Sequence, residues 1–167
     1  MSRGFVKEGD QEEIPIVPPR AYLPEGVPNY VTRAGMDELL AEREKLINEK
    51  NIPDITHENE YRIAINFINA KLQLLNHRIV EARIVNLKEQ PQDEIRFGAL
   101  ITLKIEETNK IQTFQIVGVD EADISKGKIS FISPLAKVLI NKKVGEKALL
   151  KRPGHDVVFE IMNITYV

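Results

Sequence analysis

The chain contains no cysteine and no tryptophan among its 167 residues, and only 6% of the residues are aromatic. Without cysteine, neither a disulfide framework nor a thiolate zinc site is possible. The histidines, His57, His77 and His155, are too scattered in the sequence to indicate a metal site. The hydrophobic fraction of 43% allows one ordinary domain or two small ones with a modest core.

Long apolar runs are also missing. No stretch approaches the ~18 apolar residues of a membrane span, and the N-terminus lacks the apolar core of a secretory signal. We therefore expect a soluble, cytoplasmic protein that makes no membrane contact. The net charge is only −2, so a nucleic-acid contact would need a local basic patch. No phosphate loop, nucleophile elbow or other catalytic signature is present.

Proline is concentrated near the start of the chain. Residues 1–30 hold five of the nine prolines and an acidic cluster made of Glu8, Asp10, Glu12 and Glu13. Such a segment buries too little apolar area to offset its ordering entropy, and proline favours extended backbone. The composition predicts a flexible or draped Pro-rich extension over residues 1–30. A partner-binding tail is the alternative, with anchors at Phe5, Ile14, Ile16 and Val17.

The next segment predicts two helices. Thr32 is a candidate N-cap for the first helix, and Pro53 helps to end it because the residue before a proline avoids the α region. The second helix carries an apolar seam at alternating steps of four and three residues, typical of a heptad: Tyr61, Ile65, Ile68, Leu72, Leu75, Ile79 and Ala82. We predict an antiparallel coiled-coil hairpin over residues 31–87 with its tip at 52–60. A helical cap lying flat on the following domain is the alternative.

The remaining chain predicts a small β domain over residues 95–167, reached through a linker that ends near residue 94. Apolar residues alternate with polar or small ones in its first predicted strand: Ile95, Phe97, Ala99, Ile101, Leu103 and Ile105. A further strand is expected over residues 129–132. Ser133 followed by Pro134 has the pattern of an N-cap with proline at the first helical position. The predicted class is α+β, an antiparallel sheet with one short helix.

Four separated blocks in this second domain resemble the bacterial Gre factors, the transcript-cleavage elongation factors of RNA polymerase. The blocks are Val117-Gly118-Val119-Asp120-Glu121-Ala122-Asp123, Ile129-Ser130, Ser133-Pro134-Leu135-Ala136 and Lys142-Lys143-Val144-Gly145. They occur in the order typical of that family. The resemblance implies an FKBP-like fold for residues 95–167 and a hairpin that enters the secondary channel of RNA polymerase.

The resemblance also implies a role for the hairpin tip. Asp54, Glu58 and Glu60 place three carboxylates at a predicted turn, and Mg²⁺ binds one or two carboxylates together with water and phosphate oxygens. In Gre factors the tip helps the polymerase active site to hold a catalytic Mg²⁺, where a second ion activates water. Asp54 and Glu58 are thereby implied as catalytic and metal-binding acids, acting only jointly with the polymerase. The alternative is a solvated turn whose acids favour the N-terminus of the second helix.

The tip departs from the family pattern G-D-x-x-E-N-A-E-Y. Pro53 stands in place of the glycine, and His57 occupies the third position after Asp54, so Glu58 follows Asp54 by four residues. The first arm also lacks roughly a dozen residues that family members usually carry, which shortens it by on the order of 18 Å. The two arms are then expected to differ in length. The sequence thus leaves open a cleavage factor with an altered tip and a non-cleaving regulator or inhibitor of the channel.

The second contact implied by the resemblance involves Ile132, Ser133 and Pro134, which would dock on the rim of the secondary channel. The alternative reading of Ser133 and Pro134 is simply a good helix start, and both can hold. The expected partner is RNA polymerase, with the RNA 3′ end and DNA met only indirectly in the elongation complex, and the protein is expected to be monomeric. A peptidyl-prolyl isomerase and a plain protein-interaction module are the distant alternatives.

Overall fold

The secondary structure is taken from a computed structural model, which describes residues 15–52 and 56–167. The chain is α+β, as predicted. The described residues form three α-helices and seven strands: β1 (Asn29–Val31), α1 (Arg33–Lys50), α2 (Glu58–Glu81), β2 (Ala82–Ile84), β3 (Ala99–Ile105), β4 (Ile111–Val117), β5 (Lys128–Ser130), α3 (Pro134–Leu139), β6 (Lys147–Leu150) and β7 (Val157–Tyr166). None of the described helices is long and apolar enough to cross a membrane.

The first helix begins and ends where the sequence predicts. The Gly35 amide donates to the Thr32 hydroxyl over 2.9 Å, which satisfies one of the amides that a helix start leaves unpaired. The helix ends at Lys50, and the Asn51 amide donates back to the last turn. The predicted N-cap is confirmed, and the predicted helix end agrees with the observed one.

The two long helices pack against each other along the predicted seam of α2. Their shared core is narrow and consists of Val31, Leu39, Leu46 and Leu75, with Met36, Ile68, Leu72, Ile79 and Ala82 half-buried around it. Leu75 is fully buried, whereas its neighbour Leu74 remains 39% exposed. We call α1 and α2 the helical pair. Most of its stability comes from this one seam, because isolated helices are marginal in water.

A two-stranded parallel sheet closes the base of the helical pair. Strand β1 pairs with β2 in the register Asn29 with Ala82, Tyr30 with Arg83 and Val31 with Ile84. Strand β1 therefore begins inside the range 1–30 that the sequence assigns to an extension. The sequence did not predict either strand, because each has three residues and pairs with a partner beyond both helices. No local periodicity marks such a pair.

The second half forms a five-stranded sheet in the order β5-β4-β3-β7-β6. The central strand β3 alternates between the core and the outer face, and its residues Ala99, Ile101 and Leu103 are fully buried. Helix α3 adds Ala136 and Leu139 to the same core. A register shift between Thr102 and Leu103, opposite β7, marks a bulge, which increases the local twist of the sheet.

The sheet is not wholly antiparallel, which corrects the sequence-based expectation. Strand β5 runs parallel to β4, with Ile116 opposite Ile129. The chain between them, residues 118–127, crosses over with a short 3₁₀ turn at Ile124–Lys126 and does not form a tight hairpin. A parallel pair requires such a crossover connection, and nothing in the alternation of apolar residues distinguishes the two directions.

Two strand boundaries also differ from the prediction. The strand expected from Ile95 begins at Ala99, because the chain turns at Gly98, where φ is +87°. Ile95 is nevertheless fully buried and exchanges backbone hydrogen bonds with Asn141 and Lys142. The strand expected over 129–132 ends at Ser130. Buried apolar residues in turns produce the same sequence pattern as strand residues, so the pattern overestimates strand length.

The narrow core of the helical pair generates a stability prediction. Leu75→Ala should lower the free energy of unfolding by about 2–5 kcal/mol, because it leaves a cavity in a seam with few other buried residues. Leu74→Ala, at the exposed neighbouring position, is the matched control and should cost less than about 1 kcal/mol. Urea unfolding followed by circular dichroism measures both. Equal costs for the two variants would contradict the described seam.

Candidate functional site

The far end of the helical pair carries acidic side chains. Glu58 and Glu60 lie in the first turn of α2 and are exposed, where negative charge interacts favourably with the helix dipole. Asp54, the other acid implied as catalytic, lies outside the described residues. Helix α2 has 24 residues, so Glu58 lies about 36 Å along the helix axis from strand β2.

The ends of the two helices meet at the tip despite their different lengths of 18 and 24 residues. The Tyr61 hydroxyl donates to the Lys50 carbonyl over 3.2 Å. That bond joins the last residue of α1 to the first turn of α2. The arms differ in length, as expected from the sequence, and this hydrogen bond brings the end of α1 against the first turn of α2.

The described residues do not form a Mg²⁺ site by themselves. Within residues 15–52 and 56–167, no three His, Asp or Glu side chains are grouped so that they could hold a metal ion. Glu58 and Glu60 are two residues apart on a helix, and side chains at that spacing do not face each other. Glu49 of α1 lines the same cleft as Glu60, so the described part of the tip brings together two carboxylates but no group of three. Mg²⁺ would need its other ligands from elsewhere.

The predicted docking residues lie in the turn that connects β5 to α3. The Ser133 hydroxyl accepts from the Ala136 amide over 3.2 Å and Pro134 occupies the first helical position, so the predicted N-cap is confirmed. The Ile132 amide also donates to the Ser130 hydroxyl over 3.2 Å. Pro134 is exposed, whereas Ile132 and Ser133 are half-buried. The turn is thus held by its own hydrogen bonds and presents the proline outward.

A cluster of charged residues joins the helical pair to the sheet domain. Arg20 donates through Nε to Asp120 Oδ1 over 3.0 Å and through its two terminal nitrogens to both carboxylate oxygens of Glu42, over 2.9 and 3.1 Å. Arg78 Nε lies 3.0 Å from Asp120 Oδ2. We call Arg20, Glu42, Arg78 and Asp120 the junction cluster. The hydrogen bond to Glu42, with Asp120 nearby, raises the pKa of Arg20 above its ordinary value.

A second buried acid fixes the start of α1 to the same loop. The Thr32 hydroxyl donates to Glu121 over 2.5 Å, and Lys128 donates to the other oxygen of Glu121 over 3.2 Å. The Glu121 side chain is only 3% exposed. A buried carboxylate is costly without partners, so these contacts hold the N-cap of α1 and Lys128 of strand β5 close to Glu121.

Close backbone contact explains two glycines at this junction. A Cβ on Gly118 would lie 2.5 Å from the Tyr30 carbonyl oxygen, and one on Gly35 would lie 2.6 Å from a Glu121 oxygen. A carbon atom cannot lie so close to an oxygen, so a side chain at Gly118 would displace the backbone at Tyr30, and one at Gly35 would displace the Glu121 carboxylate. The Val117–Asp123 block therefore packs the sheet domain directly onto strand β1 and helix α1.

The junction cluster is absent from the sequence-based predictions. Asp120 and Glu121 enter them only as part of a family pattern, without Arg20 or Arg78 as partners. The available signal was the adjacent pair Asp120-Glu121 directly after the apolar residues 116–119, because acids that are buried need cationic or hydroxyl partners. The sequence does not show which cations pair with these acids, because Arg20 and Asp120 are 100 residues apart.

The comparisons with known proteins identify the family. The description "Transcription elongation factor, GreA/GreB, C-term" matches residues 90–166. The chain is 35% identical over 116 residues to transcription elongation factor GreA of Maricaulis maris (strain MCS10), covering 68% of this chain and 74% of that protein. The chain belongs to the GreA/GreB family. The GreA of Thioalkalivibrio sulfidiphilus (strain HL-EbGR7) is also 35% identical, over 82% of this chain and 97% of that protein.

Among solved structures, the chain is similar to GreA factor homolog 1 (Gfh1) of Thermus thermophilus. The identity is 21%, the match covers 81% of this chain and 97% of that chain, and the TM-score is 0.39. Membership of the family rests on the sequence relatives.

The aromatic side chains of the sheet domain are engaged in packing. Phe97 and Phe131 contact the Tyr30 ring, with centroids 6.0 and 5.7 Å away. Phe114 and Phe159 pack in the sheet core. A proline-isomerase pocket would require exposed aromatic side chains, and these phenylalanines pack against other residues instead. The family assignment does not favour that alternative either.

The capping contact at Ser133 generates a second prediction. Ser133→Ala should lower stability by about 1 kcal/mol, because the Ala136 amide loses its acceptor. Ser133→Asp supplies an equivalent acceptor and is the control that should retain stability. Thermal unfolding measures both variants. If Ser133→Asp lowers stability as much as Ser133→Ala does, the hydroxyl does more than cap α3.

Proposed function

We propose that this family member is an RNA polymerase-binding regulator of transcription elongation that acts as a monomer in the cytoplasm. Its helical pair, which we take to be a coiled-coil hairpin, enters the secondary channel, and its sheet domain, which we take to be FKBP-like, stays at the rim. The observation that carries the proposal is the helical pair itself. It holds exposed acids about 36 Å from its base and is fixed to the sheet domain through the junction cluster.

The rim contact is assigned to Ile132, Ser133 and Pro134. Pro134 is exposed at the start of α3, and the hydrogen bonds of the preceding turn hold it in one conformation. Such a turn needs little reorganisation on binding, which favours affinity. Helix capping and docking are compatible roles for Ser133, because capping uses the hydroxyl while docking would use the outer surface of the turn.

The tip is assigned a role in the polymerase active site. Asp54 and Glu58 would contribute carboxylates to a Mg²⁺ ion whose other ligands belong to the polymerase and the RNA, and that ion would supply activation of water for hydrolysis of backtracked RNA. The altered spacing of the tip leaves a non-cleaving regulator as the second form of the same function. In both forms the protein alone is catalytically inert, and it meets RNA and DNA only within the elongation complex.

Binding to the rim is tested by Pro134→Arg. The bulky charge should weaken binding to RNA polymerase by at least about tenfold, or 1.4 kcal/mol, because it disrupts the exposed docking turn. Pro153→Arg places the same change at another exposed proline of the sheet domain, in the β6–β7 turn, and should leave affinity unchanged. Fluorescence anisotropy with labelled protein measures both. Equal affinities for the two variants would exclude this docking site.

The tip is tested by RNA cleavage in stalled, backtracked elongation complexes. For a cleavage factor, Asp54→Ala/Glu58→Ala should reduce Mg²⁺-dependent transcript shortening by at least about a hundredfold, the usual scale for loss of a positioned acid or base, while binding persists. Glu44→Ala, an exposed acid on α1, is the control. Binding without cleavage by the wild type would identify the non-cleaving regulator, and absence of binding would reject the proposed function altogether.

A further inference from the structure

The segment 15–28 follows the helical pair outward from its base. Residues 23–28 lie beside the end of α2, where they line a cleft together with His77, Arg78, Val80 and Glu81. Further towards the N-terminus, Pro18 and Pro19 lie beside Leu46 of α1 and Leu74 of α2. We call residues 15–28 the strap. Between residues 23–28 and Pro18 the strap therefore moves away from β1 and β2 along the helices.

Arg20 is the point at which the strap is attached. Its guanidinium binds Glu42 of α1 in a two-bond fork and binds Asp120 of the β4–β5 loop through the remaining nitrogen. The planar guanidinium fits such a pair of carboxylates better than an ammonium group does. The Arg20 side chain is 20% exposed and that of Asp120 is 7% exposed. One side chain of the strap thus connects the helical pair to the sheet domain.

Arg78 completes the attachment from the second helix. It pairs with the other oxygen of Asp120 and donates to the backbone carbonyl of Ala21 in the strap. Asp120 is therefore held between cations from the strap and from α2. Removal of Arg20 would leave Asp120 with one cation and Glu42 without its fork.

The position of Glu42 gives this attachment leverage. Glu42 is ten residues from Thr32, or about 15 Å along α1. The contacts of Thr32 and Tyr30 hold only the base of the helical pair. The contact at Glu42 resists tilting of the helical pair more strongly than the contacts at its base do. The same restraining force opposes rotation more effectively when it acts further from the pivot.

We propose that the strap is a brace that sets the angle between the helical pair and the sheet domain, and that Arg20 fastens it. The strap holds the pair in one orientation as long as Arg20 bridges Glu42 and Asp120. Loss of the bridge frees the pair to tilt about its base at β1 and Tyr30, while both parts stay folded. This inference concerns the orientation of two parts of one chain, so it stands or falls separately from the proposed function.

The absence of cysteine allows a direct test in the full chain. Spin labels at Asn48→Cys on α1 and Gln112→Cys on β4, both exposed positions, report one distance between the helical pair and the sheet domain by pulsed electron paramagnetic resonance. The parent protein should give a single narrow distance. Arg20→Gln should lose that narrow peak and give a broader or shifted distribution. Arg62→Gln, an exposed arginine on α2 away from the strap, should leave the peak unchanged.

Two further variants separate loss of the brace from unfolding. Glu42→Gln breaks the fork from the helix side, and Arg20→Lys keeps the charge but removes the fork geometry, so each should also broaden the distribution. Circular dichroism should report unchanged helix content in all of them. A narrow, unshifted distance in Arg20→Gln and Glu42→Gln would overturn the proposal. So would broadening that always accompanies loss of helix content, because the strap would then support folding and not orientation.

Discussion

The burial of two neighbouring carboxylates, Asp120 and Glu121, is the constraint on which the arrangement of the two halves depends. Their side chains are 7% and 3% exposed, and charges removed from water to this extent need several partners. The partners come from the strap, from α2, from the N-cap of α1 and from β5. No smaller part of the chain supplies all of them, so satisfying this loop requires the helical pair and the sheet domain to be assembled together.

The two halves are stabilised in different ways. The sheet domain has a broad apolar core, with Ile101, Leu103, Ile116 and Ile161 fully buried, and its stability follows from burial of apolar area. The helical pair has one narrow seam and is therefore more dependent on its attachment. Charged contacts at the junction contribute directionality as well as free energy, because an arginine fork is satisfied in few geometries. The helical pair carries the exposed acids at its far end, and its position therefore depends on the junction cluster.

Much of the fold was predictable because it is recorded in local patterns. The Thr32 and Ser133 caps, the seam through Leu75 and the alternation in β3 each follow from residues close together in the sequence. The direction of β5 and the β1–β2 pair were not predictable, since they depend on contacts between distant segments. The same distinction holds for the site. The spacing of Ser133 and Pro134 predicted the helix start, and their docking role stays a prediction, whereas the contacts of Arg20 depend on a partner 100 residues away.

The parallel pairing of β1 with β2 has a consequence for how such proteins diversify. Because Asn29 and Ala82 are partners, the chain leaves and re-enters the base of the molecule at adjacent points. Everything between them is, in topological terms, a single insertion. Paired additions or deletions of helical turns in α1 and α2 would move the tip without disturbing the sheet domain. The distance from the base of the helical pair to its tip can therefore change in evolution without changes in the sheet domain. The changes must leave Glu42 in place to contact Arg20.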